Sequence, residues 1–264
     1  VNLEVGGHQI YAATGGREFD RGKPLIIFLH GAGFDHTVWA LLTRWFAHRG
    51  FGVLAPDLPG HGHSTGEHLG SIGAMADWTV ALIEKAGATR TAIVGHSMGA
   101  LIAVETAARH PRKISALALV SAAMTMPVSK ALLAAAAADD YAAIEMVTIW
   151  GKGRRAVIGG SLAPGTWMLG NAARTMERGR PGVLFKDLSA CNEYRDGRAA
   201  VAKIKAPVTI VLGERDLMTP AKGGLELAAA IPNAKVTVLK EAGHMLMGER
   251  PDEVLHAIRD FAKA

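Results

Sequence analysis

Ser97 stands in Gly95-His96-Ser97-Met98-Gly99, after the apolar, β-type residues 92–94 and before Ala100, Leu101, Ala103, Val104 and Ala107 at helical spacing. Strand, sharp turn and helix are what a serine nucleophile requires. At the tip of such a turn the backbone is strained and the chain passes close to its neighbours, so only glycine fits on either side. The helix that follows starts near Met98, and its free N–H groups and dipole favour negative charge beside the serine oxygen. Acyl transfer generates such an oxyanion. A serine hydroxyl is a weak nucleophile near neutral pH, so it needs a positioned base, and the base needs an orienting acid. His244 and either Glu214 or Asp216, late in the chain, are the candidates. By itself His244, before Met245 and Leu246, reads equally as a core histidine.

The elements that must carry these groups can be traced from the termini inward. Residues 1–5 and 8–13 alternate around Gly6-Gly7, the pattern of an antiparallel hairpin at a sheet edge. Residues 25–29 form a continuous apolar run, as expected of a strand covered on both faces, and 52–55, 114–121, 208–212 and 235–239 read as further strands. Helical spacing appears over 36–49, 72–86, 222–230 and 251–263. Asp216 follows one of these strands and His244 another, which brings both to the sheet edge that holds Ser97. The alternation of strand and helix lapses over residues 124–202, rich in Ala, Met, Gly and Arg, with helical pieces at 129–138, 141–150, 167–178 and 183–194.

The chain resembles the α/β-hydrolase family in the Ser97 turn and in further landmarks, in that family's order. These are His30-Gly31-Ala32-Gly33, the run from Asp57 through Pro59-Gly60-His61-Gly62-His63 to Ser64, Gly213-Glu214-Arg215-Asp216 and Ala242-Gly243-His244. The resemblance covers nearly the whole chain outside residues 124–202. It implies an α/β fold with a mostly parallel eight-stranded sheet, helices on both faces, and a helical lid inserted after strand 6. Residues 1–123 and 203–264 form the expected core domain and 124–202 the lid. It also implies a triad of Ser97, Asp216 and His244. The choice of Asp216 over Glu214 rests on the family pattern, with Thr219-Pro220 following. Backbone N–H groups of Ala32 and Met98 would form the oxyanion hole. Met124, Trp150, Trp167 and Met245 are expected to line an apolar substrate pocket. The activity implied is that of a serine esterase acting through an acyl-enzyme on Ser97, on a small-molecule substrate. Hydrolysis of a carbon–carbon bond in a ring-cleavage product or of an enol-lactone would use the same machinery. A non-catalytic ligand receptor would keep the fold without the chemistry. Dehalogenation and epoxide opening are disfavoured, since enzymes of those types in the family use an aspartate where this chain has Ser97.

The 264 residues suit one domain with an insertion. The net charge is +5, but the basic residues are dispersed, without the aromatic interleaving of a nucleic-acid surface, so no nucleic-acid partner is expected. Cys191 is the one cysteine, which excludes an intramolecular disulfide. With no apolar run of spanning length and no signal-peptide pattern, the expectation is a cytoplasmic protein without a membrane partner. His61, His63 and His68 share a loop with no Cys, Asp or Glu at ligand spacing, and no dinucleotide or Walker loop is present, so neither a metal nor a cofactor is expected. Oligomeric state is not legible.

Overall fold

A computed structural model describes residues 1–158, 160, 165 and 167–263. In chain order these form β1 (Asn2–Val5), β2 (His8–Ala13), β3 (Leu25–Leu29), α1 (Ala40–Ala47), β4 (Gly52–Pro56), α2 (Ile72–Lys85), β5 (Thr91–His96), α3 (Met98–Arg109) and β6 (Ile114–Val120). Six helices follow before the next strand: α4 (Lys130–Ala137), α5 (Tyr141–Trp150), α6 (Arg154–Val157), α7 (Met168–Glu177), α8 (Val183–Glu193) and α9 (Gly197–Val201). The chain then closes with β7 (Val208–Gly213), α10 (Ala221–Ala229), β8 (Lys235–Leu239), α11 (Leu246–Glu249) and α12 (Pro251–Ile258).

The eight strands form one sheet in the order β1-β2-β4-β3-β5-β6-β7-β8. The β1–β2 and β2–β4 pairs are antiparallel and all others parallel. The continuous apolar run is explained by two-sided covering. On β3, Ile26 and Phe28 pack with Trp39, Phe46, Val254 and Ile258 on one face, while Leu25, Ile27 and Leu29 join Leu82, Ile83, Leu101 and Ile102 on the other. At about 25 cal/mol per Å² of apolar surface, each of these buried side chains contributes roughly 1.5–3 kcal/mol. The last strand is the exception: β8 exposes Lys235, Val236 and Val238, as befits the far edge.

The segment 36–49 departs from the single helix its spacing suggests. It opens as a 3₁₀ turn, His36–Trp39, capped by the Asp35 carboxylate on the Thr37 N–H at 2.9 Å, and becomes α-helical only at Ala40. The insertion between β6 and β7 is built from short capped helices. Ser129 accepts from the Leu132 N–H at 3.2 Å to start α4, and Asp140 from the Ala142 N–H at 2.9 Å to start α5. Among the described residues no helix is long and apolar enough to cross a membrane.

Candidate active site

The site begins at the turn from β5 to α3. Ser97 has φ 52° and ψ −117°, a conformation disfavoured for any residue with a Cβ. The turn holds this geometry because its flanks are pinned. The Ser97 N–H donates to the Val120 carbonyl at 3.0 Å, and the Ser97 carbonyl accepts from the Ala100 N–H at 2.8 Å. A Cβ on Gly95 would run into the Gly99 carbonyl, and one on Gly99 into the Leu29 carbonyl. Both glycines are therefore required by close backbone approach.

His244 arrives from the loop after β8. Its Nδ1–H donates to Asp216 Oδ2 at 2.8 Å, and the other Asp216 oxygen accepts from the N–H groups of Met218 at 2.9 Å and Thr219 at 2.7 Å. The acid is thus held on both oxygens and buried, and it fixes the imidazole with Nε2 free for other work. The backbone of His244 is anchored too. Its carbonyl accepts from Ser121 Oγ at 2.8 Å and from His96 Nε2 at 3.0 Å. His96 therefore packs beneath the turn, and burial, with the His244 ring beside it, drives its pKa well below the ordinary histidine value. Glu214, the rival acid, points elsewhere: it is exposed and accepts from the Glu241 N–H at 3.1 Å.

Ser97 and His244 open on one cavity of about 180 Å³. Its walls are mostly apolar, with Phe34 and Ala32 from the core and Val128, Leu132, Trp150 and Leu188 from the insertion. Among the described residues the Ser97 hydroxyl makes no hydrogen bond to the imidazole; a nucleophile–base bond of this kind can tighten when substrate binds. The N–H groups of Ala32 and Met98 are likewise taken by no other protein group among the described residues.

Of the four residues expected to line the pocket, Trp150 does so and three do not. Trp167 precedes the first turn of α7 and is 70% exposed, its ring lying over Gly170. Met124 packs on the sheet core, with its carbonyl against Gly197. Met245 is buried in the core beside α11 and faces a neighbouring recess with Met168 and Met247. Met126, two residues past Met124, lines the cavity, as does Cys191, whose thiol pKa is raised by burial. Glu249 is a further brace that no motif signals. Its Oε2 accepts from Gly153 of the insertion at 2.9 Å and from Gly243, beside His244, at 3.1 Å.

The histidine loop contains what its local spacing does not show. His61 and His68 converge on Asp187, 126 and 119 residues later on α8, through Nε2 contacts of 2.9 and 2.6 Å. Burial opposes a charge on His61, but the Asp187 carboxylate against it outweighs this and raises its pKa; Asp187, in return, is held well below the usual carboxylate range. Three ligand atoms within 4.8 Å of one another could hold a metal ion, and as they stand they are joined by hydrogen bonds. Asp35, His36 and Asp57 form a second such group, in which Asp57 accepts from His36 Nδ1 at 2.7 Å and from the His36 and His63 N–H groups, while Asp35 caps the Thr37 N–H. His63 lies there, apart from the other two loop histidines, with its ring 5.1 Å from that of Tyr11.

Sheet order, a strained serine at the β5–α3 turn, and an Asp–His pair at the ends of β7 and β8 define one class of protein. A model of the alpha/beta hydrolase family matches residues 26–257, and the chain belongs to that family. It is a hydrolase. Two similar proteins are the pimeloyl-(acyl-carrier protein) methyl ester esterases of Aromatoleum aromaticum, 28% identical over 91% of this chain and 99% of that one, and of Chromobacterium violaceum, 32% identical over 84% and 87%. Among solved structures, the enol-lactonase of Burkholderia xenovorans has the same fold, with TM-score 0.86, 24% identity and complete coverage of both chains.

Proposed function

We propose that this chain is a serine carboxylic ester hydrolase with the triad Ser97–His244–Asp216, acting on a small or medium substrate with an apolar acyl part. The observation that carries the reading is the 2.8 Å bond from His244 Nδ1 to a doubly anchored Asp216, with the imidazole and the strained Ser97 facing one apolar cavity. Ser97 Oγ attacks the ester carbonyl and passes its proton to His244 Nε2, while Asp216 stabilises the imidazolium. The carbonyl oxygen, now negative, accepts from the unclaimed N–H groups of Ala32 and Met98. Collapse expels the alcohol, protonated by His244, and leaves an acyl-enzyme. Water deprotonated by His244 then attacks it, releasing the acid and restoring Ser97. The insertion acts as a lid, since α4, α5 and α8 supply much of the cavity's apolar wall. The methyl ester esterase relatives support an ester substrate.

A fluorophosphonate probe and p-nitrophenyl esters of graded chain length test this. The expected result is labelling at Ser97 that is lost in Ser97→Ala and sharply reduced in His244→Ala, with turnover best for short to medium acyl chains. Absence of labelling would overturn the enzyme reading in favour of a binder. Labelling without ester turnover, but with cleavage of a ring-cleavage dienone or an enol-lactone, would reassign the substrate class.

A further inference from the structure

The peptide units on either side of Ala32 are each clamped by a buried side chain, and one clamp comes from outside the core. Leu58 N–H donates to His30 Nε2 at 3.1 Å, so the His30 proton sits on Nδ1, which donates to the Gly31 carbonyl at 2.9 Å. Burial, with His61 close by, lowers the His30 pKa to about 4, in keeping with a neutral ring. The Gly31 carbonyl and the Ala32 N–H belong to one trans peptide and point in opposite directions, so holding the former aims the latter. The next peptide is held from the insertion: the Gly33 N–H donates to Asp187 Oδ2 at 2.7 Å, across 154 residues. Gly33 has φ +71°, and the space where a Cβ would stand is occupied by Leu184, one turn before Asp187 on α8.

Asp187 is wholly buried, and a buried carboxylate needs a cation. His61 supplies it. Its Nδ1 faces the Pro59 carbonyl at 3.1 Å, which can only accept, and its Nε2 faces the carboxylate, so both ring nitrogens carry protons. His68 adds a second donor to the other oxygen at 2.6 Å. The carboxylate is thus fixed by two rings of the core while it holds the Gly33 peptide.

We propose that Asp187 is a positioning residue for the oxyanion hole: from α8 it fixes the loop that presents the Ala32 N–H, so the hole is complete only when the insertion is docked. This rests on the reading of Ala32 as an oxyanion donor. It assigns to the insertion a part in the chemical step besides shaping the cavity.

Asp187→Ala and Asp187→Asn separate the clamp from the charge, because the asparagine carbonyl oxygen can still accept from Gly33. With a short p-nitrophenyl ester, kcat should fall about 10–100-fold in Asp187→Ala, less than the 10²–10³-fold typical of deleting an oxyanion donor outright. KM should stay within about threefold, and Asp187→Asn should retain more of kcat. Affinity for a trifluoromethyl ketone, whose hemiketal oxygen occupies the hole, should fall in parallel with kcat/KM. In the unaltered protein the Gly33 amide proton should resonate far downfield and exchange slowly, and in Asp187→Ala it should lose both properties. A folded Asp187→Ala with kcat within threefold of the unaltered enzyme, or a loss carried by KM alone, would overturn the proposal. So would a fast-exchanging Gly33 amide in the unaltered protein, a measurement that needs no variant to fold. If the unaltered protein neither hydrolyses esters nor labels at Ser97, the esterase reading falls instead, and the amide still reports on the clamp.

Discussion

Backbone strain at Ser97 can be measured by replacing it with two residues that both lack its hydroxyl. In Ser97→Ala the Cβ remains and with it the cost of φ 52°, ψ −117°; in Ser97→Gly the Cβ is gone. The Ser97 side chain makes no helix-capping hydrogen bond, so neither variant loses one. A residue in such a region stores about 1–3 kcal/mol. Against this, glycine costs about 0.4–1 kcal/mol through the greater freedom of the unfolded chain. The difference leaves Ser97→Gly more stable than Ser97→Ala by roughly 1 kcal/mol, or about 2–4 °C in Tm for a domain near this size. Urea unfolding of the two variants, followed by circular dichroism, should show the shift in midpoint with an unchanged slope. At an ordinary position the sign is reversed, since alanine is then the more stable. An alanine variant equal to or more stable than the glycine one would refute the claim that the turn is strained.

Other consequences can be checked as directly. Gly95→Ala places a methyl group against the Gly99 carbonyl; it should destabilise by about 1–3 kcal/mol and cost at least about tenfold in ester turnover, whereas a variant as stable and active as the parent would show that the turn yields. Lys152 is buried, and burial, opposed by the Glu249 charge, lowers its pKa to about 8. The folded chain then releases this proton before the unfolded chain does, so between about pH 8 and pH 10.5 the unfolded state binds more protons and stability rises with pH. Lys152→Met abolishes that rise, so its Tm advantage over the parent should be larger at pH 7 than at pH 9.5; a constant difference would contradict it. Tyr194 donates to Glu105 Oε2 at 2.6 Å in a buried link from the end of the insertion to α3, and the half-exposed Arg109 donates from Nε to Glu105 Oε1 at 2.6 Å. Tyr194→Phe should cost about 1.5–3 kcal/mol in chemical unfolding while kcat stays within twofold.

What could be read from residue order was whatever depends on local pattern. Two-sided burial turns β3 into an unbroken apolar run, and close backbone approach dictates Gly95 and Gly99, so sheet and turn are visible in short windows. That Asp216 and His244 each lie past a strand is legible for the same reason, but the preference for Asp216 over Glu214 comes from the family resemblance and not from any local window. The insertion is different. Its helices could be located from apolar spacing, but which face each presents depends on packing between segments far apart, and no window contains that. Trp167 shows it, since the ring expected in the pocket wall lies outside, over Gly170. Asp187 shows it from the other side. Around His61 and His68 no acid has ligand spacing, and the partner they do have sits in an amphipathic helix with no signature of its own.

The strands that bracket the insertion, β6 and β7, are neighbours in the sheet, with Leu117 opposite Val208. Some eighty residues therefore leave and re-enter the core at adjacent points without contributing a rung to its ladder. Descendants of this chain can lengthen, shorten or exchange that segment, and so reshape the cavity, while Ser97 and His244 keep their places. The freedom has one limit: a replacement that brings no carboxylate to the spot beneath Gly33 inherits the pocket's location but leaves His61 with an unmatched proton.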